Sequence, residues 1–146
     1  MPIAAVRRFA LVVAVLASGS GPALAAKVSD YLIVNDAAPT FGLDEKALVA
    51  VWKQEFPPQI PRLYPPKKFG FLAVIDGGID PQGLCVVAAR ATMLPRAGKI
   101  LQYKPVRSAV VFDAQRDSTR EQCTGLAKAK LNEAIEGMLA GIVAGK

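Results

Sequence analysis

The stretch "FGFLAVIDGGIDPQGLCVVAARATML" (residues 69–94) decides the fold. Two β-rich runs, 69–76 and 83–94, flank a centre crowded with turn formers. Asp80-Pro81-Gln82-Gly83 fits a type I turn, with Pro at its second position. The pair therefore reads as an antiparallel hairpin. Alternation along its second strand puts Cys85, Val87, Ala89, Ala91 and Met93 on one face and Arg90 and Thr92 on the other. The first set is the expected core face.

Downstream, "VRSAVVFD" (106–113) reads as a further strand, joined by a long basic connection, 95–104. "DSTREQC" (117–123) then opens a helix. Ser118 and Glu121 stand in the Ser-x-x-Glu spacing of a capping box. Cys123, Leu126, Ala127, Leu131, Ala134, Ile135, Met138 and Ile142 follow at i, i+3, i+4 spacing, marking an amphipathic helix of about twenty residues.

Upstream, "VSDYLIVN" (28–35) reads as a short strand and "LDEKALVAVWKQEF" (43–56) as a helix with Leu48, Val51 and Trp52 on one face. "PPQIPRLYPPKK" (57–68) holds five prolines and reads as an extended connection without helix. The predicted class is α+β: a mostly antiparallel four-stranded sheet in β-α-β-β-β-α order with two packed helices.

The N-terminus has the layout of a secretory signal peptide. Arg7 and Arg8 precede an apolar run, Phe9–Gly19, then Gly21-Pro22 and the small-residue site Ala23-Leu24-Ala25. The run is about half the length a membrane-spanning helix needs. We expect residues 1–25 to be removed, leaving a single domain over 26–146 in the periplasm or outside the cell, with no transmembrane span.

Export decides the reading of the cysteines. The two that the chain carries would meet an oxidising compartment, and both lie on apolar faces that must be buried. A Cys85–Cys123 disulfide is the expected outcome. A thiol activated by a helix N-terminus would sit closer to the cap and off the buried stripe.

The chain contains no histidine, so catalysis by a Ser-His-Asp or Cys-His arrangement is excluded, as are imidazole-based zinc sites. Asp76 and Asp80 flank the hairpin centre as an acid pair, but two carboxylates fall short of a calcium loop, and hairpin turns use Asp for its own hydrogen bonds. No cofactor, metal or nucleic-acid partner is expected. Without Arg7 and Arg8 the chain has net charge +4, and residues 56–112 alone carry +6. That excess suits an anionic partner.

The candidate partner-binding residues are Arg96, Lys99, Tyr103, Lys104 and Arg107, in and beside the basic connection around Ile100 and Leu101. The rival is a loop folded over an open end of the core, with Ile100 and Leu101 buried. A second candidate is the other face of the sheet, where Val86, Ala88, Arg90 and Thr92 are expected to meet Arg107, Ala109 and Val111. We expect the 43–56 helix to cover that face and make it core. Gly137, Gly141 and Gly145 recur on one helix face, where they either fray or pack closely on the sheet, or support self-association. The functional expectation is a small exported, disulfide-bridged binding or accessory protein of the cell envelope, acting through contacts with an envelope protein or an anionic envelope component and without catalysis. The alternative is a small carboxylate-dependent cell-wall hydrolase.

Overall fold

A computed structural model describes residues 27–54 and 56–144. The stretch expected to be a signal peptide, with its expected cleavage site, and Gly145 lie outside them. The elements are β1 (Leu32–Ala37), α1 (Glu45–Gln54), α2 (Ile60–Leu63), β2 (Phe69–Ile79), β3 (Cys85–Ala97), β4 (Ile100–Leu101), β5 (Arg107–Gln115) and α3 (Arg120–Ala144), with 3₁₀ turns at Val28–Asp30 and Pro39–Phe41.

The fold is α+β, as expected, with one short strand and one short helix more than the sequence suggested. The main sheet runs β1-β2-β3-β5. β1 pairs with β2 in parallel, and the other pairings are antiparallel. A parallel neighbour needs a crossover, and α1, α2 and the proline-rich segment supply it.

The β2–β3 hairpin is longer than its apolar runs. Its register carries Phe69 to Pro95 and Ile79 to Cys85. The Gly83 amide donates to the Asp80 carbonyl, and the Asp80 carboxylate accepts from the Gln82 and Leu84 amides. Gly83 takes the left-handed conformation (φ 81°) that this turn demands. Gly77 is equally constrained: at φ 121°, a Cβ there would collide with the Val86 carbonyl oxygen.

Three local expectations need correction. The first strand starts later than predicted, because the Lys27 amide donates to the Asp30 carboxylate and closes a 3₁₀ turn first. The proline-rich stretch contains a helical turn, α2, with Pro61 in its first turn, where a missing N–H costs nothing. The capping box sits one residue downstream of the predicted one. Thr119 Oγ1 accepts from the Gln122 amide, and Gln122 Oε1 accepts from the Thr119 amide. Ser118 is committed elsewhere: its amide donates to the Gly83 carbonyl and its hydroxyl to the Gln115 carbonyl.

That commitment positions the disulfide. The turn between β5 and α3 is held against the β2–β3 turn, and Cys85 and Cys123 follow each by a few residues. They are bridged, with Cα atoms 5.6 Å apart, and both are buried.

The core fills one face of the sheet. Phe71, Ala73, Ile75, Val87, Ala89, Ala91 and Met93 meet Ala127, Leu131, Ala134, Ile135, Met138 and Ile142 of α3. Beside α3, α1 contributes Leu48, Val51 and Trp52. The Asp44 carboxylate caps α1 by accepting from the Ala47 amide. Trp52 stacks 5.0 Å from Phe71, which also touches Tyr31 and Phe56. The Tyr31 hydroxyl donates to the Tyr64 carbonyl, and burial, with the nearby Asp30 charge, pushes its pKa up to about 12.

Gly125 and Gly141 lie within α3, and a Cβ at either would meet nothing within 4 Å. Gly125→Ala is therefore expected to raise stability by about 1 kcal/mol, the propensity difference in a helix interior. Urea unfolding checks this, and a destabilised variant would mean that the glycine meets a partner outside this chain.

Candidate interaction surface

The sheet's second face is open except at Thr92 and Leu94, which are buried. α1 packs on β1 through the same face that α3 covers, since Trp52 Nε1 donates to Asn35 Oδ1 and Asn35 pairs with Ala73. The expectation that the 43–56 helix buries the other face is overturned. The register across that face runs Val34–Leu72–Thr92–Ser108, then Asp36–Val74–Arg90–Val110, then Asp76–Ala88–Phe112. Thr92 and Ser108 exchange a hydroxyl hydrogen bond of 3.0 Å. Val34, Val86 and Val110 are more than two-fifths exposed, and Phe112 is 74% exposed.

The register also corrects which β5 residues share this face. Ala91 faces Ala109 and Ala89 faces Val111, so Ala109 and Val111 lie on the covered side with Arg107. Ser108, Val110 and Phe112 take their place. The sequence "SAVVF" is apolar on both parities, so alternation does not distinguish its inner from its outer residues.

The basic connection is not a plain loop. β3 turns at Gly98 (φ 60°) and Lys99 into β4, pairing Arg96 with Leu101 and Ala97 with Ile100. Arg96 Nε donates to the Gly98 carbonyl, which stiffens the turn. The Arg96 amide donates to the Lys68 carbonyl, and the Gln102 amide to the Pro95 carbonyl. Leu101 reaches Gly70 beside Leu32 and is half-buried, short of the burial that the rival reading gave it. That reading fails for Ile100, which is 70% exposed.

Arg96, Lys99, Tyr103, Lys104 and Arg107 thus gather at one end of the sheet, together with Lys68. Tyr103 is 72% exposed, and Lys99, Lys104 and Arg107 are exposed as well. Two large apolar side chains stand in water among cations.

Two of the acids have partners within the fold. The Asp80 carboxylate is occupied by its turn. Asp113 pairs with Lys130 at 3.1 Å, and hydrogen bonds from Lys130 and the Ala114 amide lower its pKa. Lys130 is held above its ordinary value first by Glu133 and then by Asp113. Among the described residues no group of three or more His, Cys, Asp or Glu side chains is arranged to hold a metal. Likewise, no described helix is long and apolar enough to cross a membrane. Gly137 lies 3.5 Å, measured from an added Cβ, from the Ala109 methyl, so it packs on β5, while Gly141 meets nothing.

No family model matches this chain, and no curated protein matches it.

Proposed function

We propose that this is a small exported, disulfide-bridged protein of the cell envelope that acts by binding an anionic envelope component through the β3–β4 hairpin end. The observation that carries this reading is the exposure of Ile100 and Tyr103 among Arg96, Lys99 and Lys104. An apolar centre ringed by cations matches a surface that first attracts a negative partner and then buries apolar area against it. The disulfide supports an oxidising location, periplasmic or secreted.

The test uses the R96E/K99E/K104E variant. Its binding to vesicles containing phosphatidylglycerol, and to anionic cell-wall polymer, is compared with that of the unaltered protein at low and high salt. Lost binding with an unchanged melting curve is the expected result, largest at low salt, because exposed charges more than about 10 Å apart are screened at 0.1 M. Lys99 and Lys104 are exposed, where substitutions shift stability within about 0.5 kcal/mol each, and Arg96 gives up one hydrogen bond to an exposed turn carbonyl. Equal binding by both proteins would discard the hairpin end as the binding surface. A large loss of stability would instead show that these side chains support the hairpin.

A further inference from the structure

The free edge of β5 has the features of a pairing edge. In the β2–β3 ladder, the Asp80 amide bonds the Leu84 carbonyl and the Arg96 amide bonds the Lys68 carbonyl. Even-numbered residues of β3 therefore bond to β2, and odd-numbered ones bond to β5. The β5 partners of those odd residues are odd as well. Ser108, Val110, Phe112 and Ala114 consequently turn their N–H and C=O groups away from the sheet. Ala114 confirms the parity, because its amide is free to take the Asp113 carboxylate at 2.8 Å. Among the described residues, β5 pairs with β3 alone.

Edge strands are normally blunted by lysine, proline or shortness. At the opposite edge β1 has six residues, includes Asn35 and Asp36, and is followed closely by Pro39. β5 has nine residues and neither lysine nor proline, and it carries Phe112 into water. At Gly137, α3 presents no side chain beside Ala109, which leaves the approach to the edge low at that point.

We infer that β5 pairs antiparallel with β5 of a second copy of this chain, on a two-fold axis at Val110. This goes beyond the hairpin surface and does not depend on it. The register puts Ser108 opposite Phe112 and exposed Arg107 opposite Asp113 of the second copy, at both ends, where the Asp113 carboxylate, two-fifths exposed, also keeps Lys130 of its own chain. Like strands thus meet with unlike charges and with their outward backbone groups facing one another, as an isologous contact requires. Ser108, Val110 and Phe112 of the two strands supply about six ladder hydrogen bonds. Each Phe112 comes diagonal to Val110 of the second copy on the open face, within reach of an aromatic side chain. The Ala114 amide, already occupied by its own neighbour's carboxylate, falls outside the pairing, which favours this register over one centred on Val111.

Sedimentation velocity over a concentration series, on protein purified from cells expressing the full chain, tests the inference. A concentration-dependent monomer–dimer equilibrium is expected. Phe112→Lys should weaken it at least about tenfold, as loss of a central interface aromatic does. Val110→Pro removes an outward N–H but no bond to β3, so it should abolish the dimer while circular dichroism shows the fold retained. Should Val110→Pro fail to fold, Val110→Cys gives an independent reading, because the two-fold brings the introduced thiol to its own copy and a reducible dimer should form in oxidising buffer. R96E/K99E/K104E should dimerise normally, so loss of hairpin binding and loss of pairing are separable. A monomer at every soluble concentration overturns the inference, even if it accepts an added strand peptide. So does a dimer that tolerates Phe112→Lys and forms no cross-link through Val110→Cys.

Discussion

Reducing the Cys85–Cys123 bridge is expected to lower the unfolding free energy by about 4 kcal/mol. The two residues are 38 positions apart, and closing a loop of that length removes about this much free energy of chain entropy from the unfolded state. The loop holds β3, β4 and β5, so the reduced unfolded chain is freed across the whole second half of the sheet. Both sulfurs are held in the bridge, so a thiol reagent should label nothing in the native protein, nothing in denaturant alone, and two thiols in denaturant after reduction. Urea unfolding with and without reductant measures the stability change. The start of α3 should loosen first, because the long-range hydrogen bonds left there are those of the Ser118 amide to the Gly83 carbonyl and of the Thr124 hydroxyl to the Phe41 carbonyl. Hydrogen exchange at Thr119 to Thr124 reads this directly. A stability loss below about 1 kcal/mol would mean that the reduced chain retains the native cluster and that the entropic account fails here.

Trp52→Ala is expected to cost about 3–5 kcal/mol, the range for deleting a large buried aromatic. Trp52 is 0% exposed and joins α1 to the sheet through Phe71. Its removal opens a cavity bordered by Phe71, and rigid neighbours on β2 limit collapse. It also leaves Asn35 Oδ1 without its indole donor, although Asn35 Nδ2 still donates to Glu45. Trp52→Phe separates the two effects. It retains most of the ring and loses the hydrogen bond, so it should cost clearly less than the alanine variant. Equal losses in chemical denaturation would show that the Asn35 bond dominates over packing. A negligible loss in both would show that α1 contributes little to the folded state.

The sequence by itself determined the local chemistry of this fold. The hairpin was legible because Asp80-Pro81-Gln82-Gly83 is turn chemistry and because Cys85 to Met93 alternate cleanly. The α3 stripe was legible because 3.6-residue periodicity persists from Cys123 to Ile142. The disulfide followed from two cysteines on two faces that each had to be buried. The residues of the basic hairpin end were identifiable from charge and position.

Longer-range matters were decided only by tertiary structure. Period-2 alternation states which residues share a face, but not which face a helix covers, and α1 lies on the same side as α3 because the chain crosses over that face from β1 to the parallel β2. A shift of one residue exchanges the two faces of a strand, and "SAVVF" is apolar on both, so only the β3–β5 register puts Phe112 in water and Val111 inside. The cap fell on Thr119 because Ser118 is drawn off by Gly83, a residue far away in sequence. The free edge of β5 has no signature of its own, since an unpaired backbone group is defined by the neighbour it lacks.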